Sequence, residues 1–251
     1  MKQWLPIALK NFLWNIFKSP ERKIVGGNTL FTDLIARLTL MFKNIFSKQL
    51  QPVSICIGIK NRSEHLLQYC LPSLNKIKHP ELVELSIFDA GSTDISALEN
   101  AIRAIWKGAL TYQTESMSFA RSVCFNRAIA QSRHALVLAC DADMEVPEDI
   151  VAKVNRYTST RSAWFPKIWW LNDNLQSGRY FTEGTGIFAS YKTAFEKAGR
   201  YDEDIKEWGK EDWLLYFAFY RKAIACIRTN EKEFVHRPHP SLKPEGYHNL
   251  F

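Results

Sequence analysis

The chain has 251 residues and a mass of 29.1 kDa, is 46% hydrophobic, and carries a net charge of +7. That length and apolar content suit one sizeable α/β domain with a small appendage and exclude wholesale disorder. The five cysteines include no C-x-x-C pair, which argues against a cysteine zinc site; their odd number, with no signal peptide in view, implies a reducing compartment.

The charge is unevenly placed. Residues 1–50 hold eight Lys/Arg against two acids and so carry +6 of the +7. The basic character belongs to an arm and not to the body, so no nucleic-acid partner is expected. Residues 4–17, WLPIALKNFLWNIF, are apolar apart from Lys10, Asn11 and Asn15, which fall on one side of a helix. In residues 31–46 the side chains of Phe31, Leu34, Ile35, Leu38, Met41, Phe42, Ile45 and Phe46 recur at helical period and form one continuous apolar stripe. Neither segment is long enough to span a bilayer. Two readings stand side by side: both helices pack on the domain or a partner chain, or they form an interfacial membrane anchor, since basic amphipathic helices bearing Trp and Phe lie in anionic headgroup regions. The division is therefore 1–50, a basic amphipathic helical extension, and 51–251, the main domain.

From Pro52 the pattern alternates strands with helices. VSICIGI at 53–59 reads as a buried strand, 64–76 as a helix, and LVELSIF at 82–88 as a second strand ending at Asp89. A helix over 94–107, a strand at 110–113, a helix over 118–132 and a strand at 135–140 follow, the last delivering Asp141-Ala142-Asp143. Such alternation predicts a mostly parallel central sheet covered by helices on both faces, with ligands outside the carboxyl ends of its strands. Asp89, Asp141 and Asp143 all fall at such ends.

Four groups of residues carry chemistry. Asp141 and Asp143, one residue apart after a strand, can face a single Mg²⁺ or Mn²⁺, which prefer hard oxygen ligands and bridge to a diphosphate; a D-x-D by itself recurs by chance, and its place after ALVLAC gives it weight. Asp89-Ala90-Gly91-Ser92-Thr93-Asp94 reads as a tight turn whose Ser or Thr caps the next helix. Glu211 and Asp212 open an apolar helix after Trp208-Gly209; acids there suit the helix dipole, and a carboxylate there can also act as a general base toward a hydroxyl. His236 and His239, three apart and each followed at once or one residue later by Pro, can supply a metal ligand. Neither G-x-G-x-x-G nor a P-loop occurs.

Taken in order, these pieces resemble family 2 glycosyltransferases of the GT-A fold. VSICIGIKNRSEHL is similar to their first strand and nucleotide loop, FDAGSTD to their D-D-G-S-T-D turn, and SFARSVCFNRAIAQSRHALVLACDADMEVPEDI to their A-R-N helix and D-x-D segment. GTGIFASYKTAFEKAGRYDEDIKEWGKEDWLLYFAFYRKA is similar to the carboxyl-terminal part of β-1,4-galactosyltransferases and chondroitin-polymerase-type enzymes. The resemblance covers about residues 52–240 and omits 1–50. It implies that Asp89 contacts the nucleobase, most often uracil, and that Lys60, Arg62 and Arg121 face the nucleotide-sugar pocket. Asp141 and Asp143 would hold the ribose-diphosphate side and the metal, with His236 completing the metal site and His239 as the fallback. Asp212 would be the catalytic base, with Glu211 and Trp208 at the acceptor. Ala90 departs from the family's second Asp and Lys60 from a commoner aromatic, which leaves the nucleotide open.

The expected activity is therefore inverting, Mn²⁺- or Mg²⁺-dependent transfer of a sugar from a nucleotide-sugar donor, UDP-linked in the family's usual case, to a hydroxyl of a glycan or lipid-linked acceptor. The setting expected is surface polysaccharide synthesis, in the cytoplasm or at the cytoplasmic face of the inner membrane. Two rival classes are a sugar-phosphate nucleotidyltransferase, which would need a Gly-rich basic loop where IGIKNRS has one Gly, and a non-catalytic carbohydrate- or membrane-binding module, which would not need Asp141, Asp143, Asp212 and His236 together.

Overall fold

The computed structural model describes residues 29–47, 49–205 and 210–239. Trp208 and the 4–17 segment therefore lie outside the described residues. A seven-stranded sheet forms the centre, in the order β10-β6-β9-β4-β1-β2-β3. Its strands are β1 (Val53–Ile59), β2 (Val83–Asp89), β3 (Ala109–Thr114), β4 (Leu136–Ala139), β6 (Ser162–Trp164), β9 (Phe188–Tyr191) and β10 (Ala225–Ile227). β1 pairs in parallel with β2 and β4, β2 with β3, and β10 with β6; β9 runs against both β4 and β6. This is the mostly parallel α/β sheet expected, with one reversed strand. Every residue of β1 and β2 is buried, as both-face coverage requires of near-continuous apolar strands.

The flanking helices follow the strands: α2 over 63–74, whose middle turn Leu66–Cys70 widens to π geometry, α3 (Leu98–Ile105), α4 (Arg121–Gln131), α5 (Ile150–Tyr157), α6 (Lys192–Ala198) and α7 (Lys210–Arg221). α4 lies across β1 and β2, and its approach is close: a Cβ on Gly58 would sit 2.6 Å from Cys124 Cβ. A side chain at 58 would push α4, and with it Arg121 at its first turn, off the sheet. Aromatic side chains fill the space beyond β9, where Phe165, Phe188, Phe195, Tyr201, Tyr216 and Phe219 meet with ring centroids 4.9–6.0 Å apart. The five cysteines are all buried and no disulfide joins them.

A second sheet of four strands, in the order β5-β11-β7-β8, stands beside the first: β5 (Met144–Glu145), β7 (Lys167–Leu171), β8 (Gly178–Tyr180) and β11 (Asn230–His236). β5 is only two residues long, yet it pairs Met144 with His236 and so carries the segment after Asp143 to the end of β11.

The amphipathic helix at the start of the described chain, α1 (Thr29–Phe46), forms over the stretch that the apolar stripe marks. It lies against α5 and β10, and the side it buries is Thr29, Asp33, Ala36 and Leu40. That side is opposite the stripe. Phe31, Leu38, Met41, Phe42, Ile45 and Phe46 are all exposed, Phe46 at 78%. Ala36 and Leu40 join the hydrophobic core, and polar contacts fasten the helix further: Lys43 Nζ donates to the carbonyls of Asn155 and Thr158 at 2.7 and 2.9 Å, and Asn44 Nδ2 to that of Arg156 at 3.2 Å. These are carbonyls at the C-terminal end of α5, where a helix lacks internal donors.

Candidate functional site

The carboxyl ends of β1, β2 and β4 are adjacent in the sheet, and the loops leaving them form the site. The loops after β1 and β2 are stitched together. Asn61 N donates to Ser92 Oγ at 3.0 Å, Thr93 N to Asn61 Oδ1 at 2.8 Å, and Ser63 N and Oγ to Asp94 at 2.9 and 2.7 Å. Asp89 closes β2 and is buried; Oδ1 accepts from Ser92 N and Oγ at 2.8 and 2.7 Å, and Oδ2 from the Tyr112 hydroxyl at 2.7 Å. Ser92 therefore holds the Asp89 carboxylate, and burial together with that carboxylate pushes the Tyr112 hydroxyl well above its ordinary range. Lys60 Nζ reaches across to the carbonyl of Met117. Arg62 sits half-buried just before α2.

Beyond β4 the chain turns through Asp141-Ala142-Asp143 into β5. Because β5 pairs with the end of β11, Asp143 meets both histidines. His239 Nε2 lies 2.9 Å and His236 Nε2 3.8 Å from Asp143 Oδ2, and one ligand atom from each of the three residues falls within 4.8 Å of the others. The Trp170 ring, paired with His236 across β7 and β11, stacks on it at 3.6 Å between centroids and 14° between planes. His65 on α2 packs edge-on against His239, and its Nε2 is 3.4 Å from the Pro238 carbonyl. Burial drives the His236 imidazole down to about 4, so it is neutral at physiological pH, the form in which imidazole ligates a metal. Burial works against ionisation of Asp143, but the hydrogen bond from His239, and the attraction of the neighbouring imidazoles when they are protonated, hold its carboxyl below the ordinary value. Asp143 Oδ1 and His236 Nδ1 are buried without a hydrogen-bond partner among the described residues. A cluster of one carboxylate and two imidazoles, two of whose own polar atoms are left without partners among the described residues, fits a divalent cation, since buried polar groups otherwise find partners.

Asp141 goes elsewhere. Its carboxylate accepts from Arg121 Nε at 3.2 Å and from Nη2 at 3.1 and 3.3 Å. The same guanidinium donates from Nη1 to Asp212 Oδ1, in the first turn of α7. Thus Arg121, expected to face the nucleotide pocket, lies in a buried bridge between the two acids, its side chain 9% exposed. Burial raises Asp212 to about 7, with Glu211 and Asp141 pushing the same way and Arg121 opposing them. Burial likewise raises Asp141 against the pull of Arg121. Glu211 is buried beside Asp212, and its Oε2 has no partner among the described residues.

The structure thus assembles Asp143 with His236 and His239, and Asp141 with Asp212 through Arg121. It keeps the Asp89 turn, Lys60 and Arg62 on the loops after β1 and β2. Sequence reading missed Tyr201, Gly186, Trp170 and His65. KIWW and G-T-G are visible as unusual strings, but nothing local says that they face the site.

No family model matches the chain. A human relative, chondroitin sulfate synthase 3, is 26% identical over 165 aligned residues, which take in 56% of this chain and 19% of that protein; the match thus spans about a fifth of the relative's length. Among solved structures, residues 1–349 of S. aureus TarS in complex with UDP superpose with a TM-score of 0.59 at 15% identity, covering 73% of this chain and 59% of that one. The mannosyltransferase PcManGT of Pyrobaculum calidifontis, in complex with GDP-Man and Mn²⁺, superposes with a TM-score of 0.56 at 16% identity, covering 87% and 68%. These likenesses extend the resemblance carried by the motifs: the chain has the GT-A glycosyltransferase fold, with its mostly parallel sheet flanked by helices.

Proposed function

We propose that this protein is a metal-dependent glycosyltransferase that moves a sugar from a nucleotide-sugar donor, UDP-linked in the first instance, to a hydroxyl of a glycan or lipid-linked acceptor with inversion, in surface polysaccharide synthesis. The observation that carries the reading is the placing of the Asp143–His236–His239 group and the Asp141–Arg121–Asp212 bridge together beyond the carboxyl ends of β1, β2 and β4. The motif order and the nucleotide complexes of the structural neighbours support it further.

In this reading the loops carrying Asp89, Lys60 and Arg62 take the nucleoside end of the donor. Asp143, His236 and His239 would hold Mn²⁺ or Mg²⁺, which supplies positive charge to a leaving diphosphate. Asp212 takes the proton of the acceptor hydroxyl while that oxygen bonds the anomeric carbon from the face opposite the diphosphate. The old C–O bond breaks with its electron pair on the diphosphate, so the configuration inverts. A carboxylate raised to about 7 is matched to this work, because a base whose affinity for protons lies near the working pH accepts and releases them readily. Glu211, buried with an oxygen that has no partner among the described residues, would bind an acceptor hydroxyl, together with Trp208.

The outward stripe of α1 and the basic surplus of residues 1–50 support peripheral attachment of this extension to an anionic membrane, at the cytoplasmic face, near a lipid-linked acceptor. Among the described residues no helix is long and apolar enough to cross a membrane.

A thermal-shift screen of nucleotide sugars with Mn²⁺ tests the activity, since a bound donor at a hundred times its Kd stabilises by about 2.7 kcal/mol. Hits are then incubated with glycan acceptors. Release of a nucleoside diphosphate is expected. Release of pyrophosphate would mark nucleotidyl transfer instead, and binding without turnover would mark a non-catalytic module.

A further inference from the structure

Arg121 makes the most connected polar contacts in the site, and the reading above gives it no task. Its N–H groups are all engaged. Nε and Nη2 donate to Asp141, Nη1 to Asp212 Oδ1 and, at 3.4 Å, to the Tyr201 hydroxyl, and Nη2 to the Gly186 carbonyl at 2.8 Å. Behind the guanidinium lies the Phe125 ring, its centroid 4.5 Å from Cζ. The partners come from separate parts of the chain, Asp141 being 20 residues away and Asp212 91. Gly186 closes the arrangement: a Cβ there would stand 3.0 Å from Asp212 Oδ2 and 3.1 Å from Arg121 Nη2. Among the described residues nothing donates to Asp212 Oδ2.

A buried cation between two carboxylates contributes little net stability, because desolvation offsets the attraction. What the planar fork does supply is geometry, since it fixes two carboxylates at set distances and angles in a way that a point-charge ammonium cannot. Asp141 belongs to the donor side and Asp212 to the acceptor side.

We propose that Arg121 is a positioning residue for the transfer reaction: it clasps Asp212 by Oδ1, leaving Oδ2 over Gly186 to take the acceptor's proton, and ties that base to Asp141 so that the donor and acceptor half-sites keep one spacing. The inference rests on the glycosyltransferase reading and refines it. It sets Arg121 apart from a nucleotide contact, because the guanidinium is spent within the protein.

The test uses the full chain and the variants Arg121→Lys, Arg121→Met, Asp212→Asn and Arg121→Lys/Asp212→Asn. UDP with Mn²⁺ is the binding probe, and turnover is measured with the donor that the screen identifies. Misplacing a reacting group by about an ångström costs on the order of a hundredfold, so Arg121→Lys should lower kcat by about ten- to a hundredfold while the Kd for UDP and the KM for donor stay within about threefold. In the Asp212→Asn background the same change should cost at most about threefold more, because its effect passes through Asp212. Circular dichroism and melting of Arg121→Lys, which keeps the buried charge, control for folding if Arg121→Met fails to fold. A tenfold or larger rise in the UDP Kd with kcat preserved would make Arg121 a nucleotide contact and overturn the proposal. Additive losses in kcat, or full activity of Arg121→Lys, would overturn it as well. A parent chain that turns over no nucleotide sugar ends the glycosyltransferase reading and this role with it; a parent that turns over beside an undamaged Arg121→Lys ends this role alone.

Discussion

Two acidic groups at strand ends look alike in sequence and differ in what they need. At the end of β2, both oxygens of Asp89 have donors in Ser92 and Tyr112, and the loop around it is tied to the loop after β1 by Asn61 and Asp94. Beyond β4, Asp143 Oδ1, His236 Nδ1 and Glu211 Oε2 are buried with no donor or acceptor among the described residues. The first region is complete by itself, a preformed rim. In the second, the described side chains by themselves leave polar atoms unsatisfied, and an unpaired buried polar group costs on the order of 1–3 kcal/mol. Native proteins accept that cost chiefly where a ligand completes the network. The contrast supports the proposed division of labour, with the chemistry beyond β4 and donor recognition on the loops after β1 and β2.

The sharpest way to break this contrast is at Asp143. Asp143→Ala should abolish Mn²⁺-dependent donor binding and transfer while the cooperative melt remains, and calorimetry with Mn²⁺ and UDP reads it directly. A variant that keeps Mn²⁺-dependent turnover would move the cation elsewhere.

Asp212→Asn should lower turnover by about a hundredfold or more, the scale of losing a general base. The base must be ionised to accept a proton, and Asp212 is raised to about 7. Turnover should therefore rise with pH through about 7 and level off above it, falling about tenfold for each pH unit below. The Asp212→Asn variant should lose that acid limb; a limb that persists belongs to another group.

The two histidines sharpen the picture within the second region. His236→Ala and His239→Ala should each weaken Mn²⁺ affinity, and the His236 change should weaken it more, because the buried His236 is neutral and stacked on Trp170 whereas His239 is the more exposed. Metal titrations of both rank them, and the reverse order would make His239 the principal ligand.

The smallest effect concerns α1. Intact protein should sediment with anionic vesicles, salt should weaken this in part because each basic side chain contributes about 1 kcal/mol near the surface, and Phe42→Glu should release it further. Transfer to a soluble acceptor should be unchanged in Phe42→Glu. No sedimentation of the intact chain at low salt would end the membrane reading of the extension.

What local pattern determines is visible in β1, read from VSICIGI at 53–59 and found at Val53–Ile59, and in the strand ends that carry Asp89 and Asp141. Runs of apolar residues and their period depend on near neighbours alone, so over residues 53–140 the sequence by itself settles element type, chain order and the strand ends that bear the acids, whereas the reversed β9 and the second sheet were not legible in it. The existence of α1 also followed from its stripe, but its orientation did not: the face that docks is Thr29, Asp33, Ala36 and Leu40, because Ala36 and Leu40 join the hydrophobic core and Lys43 and Asn44 find open carbonyls at the end of α5. Only tertiary structure decided that Arg121 joins Asp141 to Asp212, and that His239 and His236 both meet Asp143. Those contacts span 20, 91 and roughly as many residues again, and they depend on how β5 registers against β11 and on how closely α4 lies on β1 over Gly58. Register and approach are set by packing among distant segments, which no window of neighbouring residues contains.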